Sequence, residues 1–330
     1  MTARTRYFVI ASLLTLAVGL GAGLMAYSRG ATSALTRQGG PDELQLVPAN
    51  AGVVAYADVH DIMSSDLRQR FRNGRADHTS GRQEFQNLTG INIETDVDHV
   101  VVGVVPDLEA QGNRPGATVV IARGRFDQVR IEQFMRDRGA EAESYGNTRL
   151  INGAAHDGNA GVSVAFLEPG LIAVGSTALV HSAVDLKSGG SSVATNERMM
   201  GLIRDLNPGN AWAVGRFDAL TSQTSFPSGV ADQIPSVTYF SASAQIDSGV
   251  RGTLRADARD AAAADSLRDV IRGFLALAKM QTGRPDLAAA LQSLQLGGSG
   301  NTVSLSFDLP LAALDNLGAM RPSRPAAQPR

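Results

Sequence analysis

The chain has 330 residues, 30 basic and 32 acidic, for a net charge of −2, and 43% of it is hydrophobic. That size allows a large core and about two domains, and the even charge balance leaves no electrostatic footprint for nucleic acid. Cysteine is absent, which excludes disulfides, thiolate metal sites, thiol nucleophiles and an acylated-cysteine anchor.

Residues 1–6 carry Arg4 and Arg6, and the 21 residues from Tyr7 to Tyr27 carry no charge before Arg29 follows. At about 1.5 Å per residue, a helix over 7–27 reaches the ~30 Å of a bilayer's hydrocarbon core. Lipid offers an open backbone no partner, so helix is the conformation expected there. Tyr7 and Tyr27 fall where interfacial aromatics sit. Two readings stay open. One is an uncleaved anchor, with residues 1–6 cytoplasmic. The other is a signal peptide cut after Ala31-Thr32-Ser33-Ala34, although cleaved leaders have shorter apolar regions. The N-terminal amine adds to Arg4 and Arg6, which puts the N-terminus inside and the large domain outside. Gly19 and Gly23 have the spacing of paired membrane helices, and equally that of the small residues common in such helices. Residues 28–46, centred on Gly39-Gly40-Pro41, read as a flexible tether. Residues 319–330, ending RPSRPAAQPR, read as a disordered tail.

Beyond the tether one pattern recurs: an apolar run, an aspartate, then a helical pattern. Val53 to Val59 is the first instance, with Asp58. Thr118 to Ala122 leads through Gly124-Arg125-Phe126-Asp127 to a helix, and Ala211 to Val214 leads through Gly215-Arg216-Phe217-Asp218. Val303 to Asp308 leads to Leu309-Pro310 and a short helix. An aspartate there can accept from the free N–H groups of the next turn, and proline suits a first helical position. The repeated GRFD supports either a pair of anion sites at Arg125 and Arg216 or a reused strand end and cap.

Segments 97–139 and 235–273 both read strand, strand, helix, the first with an extra loop at Leu108 to Gly116. In the second helix Leu267, Val270, Ile271, Phe274 and Ala278 share one face. Strands are predicted at Asn147 to Asn152, Gly161 to Phe166 and Leu171 to Gly175, the last after the turn Glu168-Pro169-Gly170. A helix is predicted from Thr177 to about Leu186, and Ser188-Gly189-Gly190-Ser191-Ser192 reads as a hinge. The predicted fold class is therefore α+β, in two related lobes at 47–190 and 195–318. Each is mainly antiparallel sheet with helices on one face, preceded by one transmembrane helix.

Chemistry is sparse. His60, His78, His99, His156 and His181 are scattered without metal-binding spacing. His60-Asp61 and Asp96-Val97-Asp98-His99 are close groupings of acid and histidine, but strand neighbours point to opposite faces. Gly297-Gly298-Ser299-Gly300 precedes a strand, so it reads as a turn and not as a phosphate cradle. Trp212 reads as core. No catalytic residue, metal ligand or cofactor site is assigned.

Leu46-Val47-Pro48-Ala49-Asn50-Ala51 followed by VVAYADV, the stretch Gly90-Ile91-Asn92-Ile93 to Asp98 and the GRFD segment carry a resemblance. Over roughly 44–318 the chain resembles bacterial envelope proteins with an N-terminal signal or anchor helix and a duplicated extracytoplasmic domain of unknown function. The resemblance implies a periplasmic location and brings no site residues. The expectation is a single-pass protein of the bacterial cytoplasmic membrane that binds or scaffolds, with an envelope partner or a second copy of itself. The alternatives are a small-ligand carrier or sensor with a site between the lobes, and an envelope hydrolase using carboxylates.

Overall fold

The computed structural model describes residues 40–73, 79–106, 117–153, 161–207, 209–221, 237–280 and 291–310. The apolar run 7–27, the loop around His156, the insert 108–116 and the helix expected after Pro310 lie outside the described residues. Among those described, no helix is long and apolar enough to cross a membrane.

Continuous apolar runs became strands buried on both faces. Val53, Val54, Ala55 and Ala57 of β1 (Val53–Asp58) are all buried, as are Val100, Val101, Val102 and Val104 of β2 (Val97–Val105). Strands covered on both sides need apolar residues at successive positions instead of alternate ones. β3 (Ala117–Gly124), β4 (Glu141–Tyr145), β5 (Thr148–Asn152), β6 (Val162–Glu168) and β7 (Leu171–Ser176) complete the first half. The second half supplies β8 (Ala211–Arg216), β9 (Val237–Ile246), β10 (Gly249–Ala258), β11 (Gln295–Gly297) and β12 (Thr302–Pro310).

All of them join one antiparallel sheet of 12 strands, in the order β11-β12-β10-β9-β8-β1-β2-β3-β7-β6-β5-β4. The protein is thus an α+β fold, but the two segments do not form two sheets. β1 pairs with β8 from Val53 opposite Gly215 to Ala57 opposite Ala211. The order β1-β2-β3-β7-β6 in one half is matched by β8-β9-β10-β12-β11 in the other, which places β2 with β9 and β3 with β10, as the sequence similarity pairs them.

Helices cover both faces, where one was expected. On the side carrying Val54, Val101, Ile121 and Trp212, here the front, lie a 3-10 helix (Asp42–Leu46) and the helices α6 (Thr177–Lys187) and α7 (Glu197–Arg204). In α7 Met199, Leu202 and Ile203 recur at helical spacing and are buried. Each such side chain is worth about 1.5–3 kcal/mol in apolar burial. On the back lie α1 (Val59–Met63), α5 (Gln128–Arg136), α8 (Phe217–Thr221) and α9 (Ala261–Met280). After α1, the described link from β1 to β2 continues through α2 (Asp66–Asn73), α3 (Thr79–Thr89) and α4 (Ile93–Asp96). In α9 Leu267 is buried against Val303 while Phe274 is 56% exposed, so the expected apolar face meets the sheet only along its first part.

The aspartate caps hold at two of four places. Asp58 accepts from the backbone of Asp61, and Asp127 from that of Arg130. Asp218 lies inside α8 and pairs with Arg216. Asp308 lies within β12, which stays paired to β10 through Pro310 opposite Gly249. Strand pairing there removes the free turn that a cap would serve.

Two stretches expected to be loose are held down. The expected tether extends to residue 46, yet Glu43, Leu44 and Leu46 are buried on the sheet. The hinge 188–192 is stitched to the same place, since Ala49 donates to the Ser191 carbonyl and Val193 to that of Val47. Each half of the chain therefore starts from one shared seam on the front face.

Candidate functional site

Three groups of polar side chains stand out among the described residues. The first sits under the 3-10 helix at that seam. In the sheet register His99 pairs with Asp58 on one side and Arg123 on the other, so both His99 and Arg123 rise toward the front. Glu43 comes down onto them from above. Arg123 Nε donates to Glu43 Oε1 at 2.6 Å, and His99 Nε2 lies 3.2 Å from Oε2. The second guanidinium arm of Arg123 reaches Glu168 at 3.3 Å. Burial alone would raise the Glu43 carboxyl, but the neighbouring His99 and Arg123 outweigh it and hold it at about 2. Beside them Tyr56 stacks on Trp212 with ring centroids 5.7 Å apart. Burial, helped by Asp58 and Glu43, pushes the Tyr56 phenol well above its ordinary value. A proton-transfer group works best near ambient pH. Both Glu43 and Tyr56 are driven away from it, so this cluster works as a lock that fixes the chain entry to the sheet.

The second group joins the far edge strand to α6. Tyr145 and His181 stack with centroids 4.2 Å apart, Tyr145 donates to Asp185 at 3.1 Å, and His181 lies 3.3 Å from Glu143. Asp185 raises the exposed Tyr145 phenol. These contacts tie β4 to the helix. Among the described residues no three histidine or acidic side chains converge as metal ligands do.

The third group is the front face of β9, β10 and β12. In the first half most front positions are apolar, among them Val101, Val119, Ile121 and Ala173, and they lie beneath α6 and the 3-10 helix. In the second half the pairing sets Ser243, Thr253 and Ser306 side by side, and Ser241, Arg255 and Ser304 in the next row. Such a grid repeats about 4.8 Å across strands and about 6.8 Å along them. α9 packs on the back of these strands, while on the front Arg198 of α7 reaches Asp257, Arg255 donates to the Asp205 carbonyl, and Ser241 and Ser243 are buried. A shallow dent with room for about 10 Å³, on the order of one water, lies at the edge of that front, lined by Leu206, Asn207, Ser241, Ser243, Thr253 and Arg255.

The residues weighed in the sequence fall elsewhere. Arg125 bonds the Thr95 carbonyl and Asp96, while Arg216 bonds Asp218, so each GRFD arginine is neutralised locally. Arg125 follows β3 and Arg216 ends β8, strands that do not correspond between the halves, and so they make no pair. Asp96 accepts from the Asn92 backbone N–H and Arg125 and serves its turn, with no shared site with Asp98. Asp61 is raised by burial and then by Asp58 within α1. Trp212 is buried, as expected. Gly298 and Gly300, at φ 94° and 56°, form the turn into β12. Sequence reasoning missed Glu43, because Asp42-Glu43 lies beside Gly39-Gly40-Pro41 and reads as tether. The available signal was Leu44, Leu46 and Val47, which give that stretch an apolar side.

No protein-family model matches the chain, and no curated protein matches it in sequence. Among solved structures, crystal form I of TP0453 aligns over 84% of this chain and 98% of its own, at 11% identity and a TM-score of 0.47. That likeness is too loose to transfer a fold or a function.

Proposed function

We propose that this is a single-pass protein of the bacterial cytoplasmic membrane, anchored by residues 7–27, whose extracytoplasmic domain acts by binding rather than catalysis. The observation that carries this is the contrast between the two halves of one sheet. Corresponding strands present a mostly apolar front that is covered in the first half and a polar front in the second, which α7 reaches at Tyr239 and Asp257. A polar sheet face contributes little to a core, so the half-buried hydroxyls of Thr253, Ser304 and Ser306 make sense as a surface for something outside the chain. The Glu43 lock supports the tethered arrangement, because it fixes the point where the membrane-proximal segment meets the sheet. The matching strand orders support a domain built by duplication of one βαββαββ unit, the second copy carrying the more polar front. The resemblance to bacterial envelope proteins points to the same compartment.

The anchor has its own test. The full chain should stay with membranes after a carbonate wash and keep its residues 1–27. A mature N-terminus at Leu35, with the protein released by the wash, would show a cleaved leader and remove the anchor from this proposal.

A further inference from the structure

We propose that the outer edge of β4 takes an extended, lysine- or arginine-bearing peptide segment as a further strand of the sheet. The site lies at the far end of the first half, away from the front of β9, β10 and β12, so its outcome does not decide that surface.

The sheet of 12 strands has two edges, and the chain treats them differently. At one edge β11 is only 3 residues long, and backbone groups of β12 beyond it find partners. Asp308 donates to Ser293 Oγ at 3.4 Å, and Thr302 donates to the Ser299 carbonyl. The Thr302 carbonyl accepts from Arg268, and Pro310 has no N–H to offer. Short strands and occupied groups blunt a sheet edge.

At the other edge β4 runs for 5 residues. Tyr145 and Thr148 flank a two-residue turn, so they exchange hydrogen bonds, as do Glu143 with Leu150 and Glu141 with Asn152. Alternation then turns the N–H and C=O groups of Ala142 and Ser144 outward. Both residues are exposed, and among the described residues nothing bonds those groups. β12 and β11 end the second half where β7 and β6 continue into β5 and β4, so the open edge belongs to a hairpin outside the shared strand order. Strand addition to such an edge takes its affinity from the backbone and its specificity from alternate side chains.

Those side chains select the occupant. Glu141 and Glu143 share the front side of β4, beside Asp185 of α6. Glu143 meets His181 at 3.3 Å and the Asn152 amide, Asp185 takes the Tyr145 hydroxyl, and Glu141 has no partner among the described residues. No described lysine or arginine answers any of the three. Residues directly opposite on an added strand come within about 4.5–5.5 Å at Cβ, so cations at its alternate positions would meet these carboxylates. A second copy fits badly. The two-fold register that uses Ala142 and Ser144 of both strands sets Glu143 opposite Glu143, and like charges there repel.

The test uses the full chain in detergent and three labelled peptides: (Lys-Thr)4, (Glu-Thr)4, and (Lys-Thr)4 methylated on each threonine amide. The lysine peptide should bind saturably and about 10-fold or more tightly than the other two. Ala142→Pro removes one outward N–H at a position where an edge strand tolerates proline, and should weaken binding about 3- to 10-fold. Glu141→Lys, which breaks no contact within the protein, should weaken it by about the same factor. Hydrogen exchange at Ala142 and Ser144 should be fast in the free chain and slowed by the lysine peptide. No binding of the lysine peptide, equal binding of the acidic or methylated one, or full binding by both variants would overturn the proposal. So would slow exchange in the free chain: if it depends on protein concentration a second copy holds the edge, and if it does not the chain covers the edge itself.

Discussion

Replacing Trp212 with alanine is expected to lower the free energy of unfolding by about 3–5 kcal/mol. Trp212 is only 8% exposed and stands on β8 directly opposite Tyr56 of β1. Its ring therefore sits on the seam where the two halves of the sheet meet. It shares a core with Leu44, Val54, Val193, Met199 and Val214, drawn from both halves and from the chain that joins them. Native stability is of order 5–15 kcal/mol, so this one truncation removes a large part of it. The stack with Tyr56 adds about 0.5–1.5 kcal/mol beyond burial, which a double-mutant cycle with Tyr56→Leu should recover as coupling. Because the seam is shared, the variant should still unfold in one urea transition, moved to lower urea. Two transitions, one of them unmoved by the substitution, would show halves that fold separately.

Glu43→Gln carries the second large effect, and it depends on pH. The Glu43 carboxyl titrates at about 2 in the folded protein against 4.5 when unfolded. A folded-state value below the unfolded one means that stability is fully present above 4.5. It is lost as pH falls toward 2, because the unfolded chain takes up the proton first. The difference is worth about 3 kcal/mol, and Glu43 is buried enough, at 5% side-chain exposure, for solvent to screen little of it. Glutamine keeps the shape and removes the charge that answers Arg123. The variant should therefore be about 3 kcal/mol less stable than the parent at pH 7, and the gap should close between pH 4.5 and pH 2. Other carboxylates with depressed values, Asp96 and Asp218 among them, titrate alike in both proteins and cancel in the comparison. A gap that stays constant down to pH 2 would mean that the lost charge is not what the protein misses.

Local signals in the sequence served well where they were also local in space. The helix at Thr177–Lys187, the strand pairs β2–β3 and β9–β10, and the caps at Asp58 and Asp127 depend on neighbours a few residues away. Pairing between distant strands does not. Nothing in Val53–Asp58 or Ala211–Arg216 announces that these two strands adjoin, and that single pairing turns two expected sheets into one. Composition misled at Ser188–Ser192, where small polar residues suggest a hinge. There the backbone's own N–H and C=O groups find partners at Val47 and Ala49, and side-chain character is silent about that. Pro310 misled for the opposite reason, because a residue without an N–H sits easily at the end of β12, beyond the short β11. The candidate binding face was legible only as alternation. Ser241, Ser243, Thr253, Ser304 and Ser306 recur at every second residue, but only the register shows that they lie side by side.

The most direct measurement uses the absence of native cysteine. Spheroplasts expressing the full chain with Ser306→Cys are treated with a membrane-impermeant maleimide, beside a Val101→Cys control whose position is fully buried. If an extracytoplasmic domain presents the front of β12 to its surroundings, Ser306→Cys is labelled in intact spheroplasts and Val101→Cys is not. Labelling of Ser306→Cys only after lysis would place the domain inside the cell and contradict the proposal at its root.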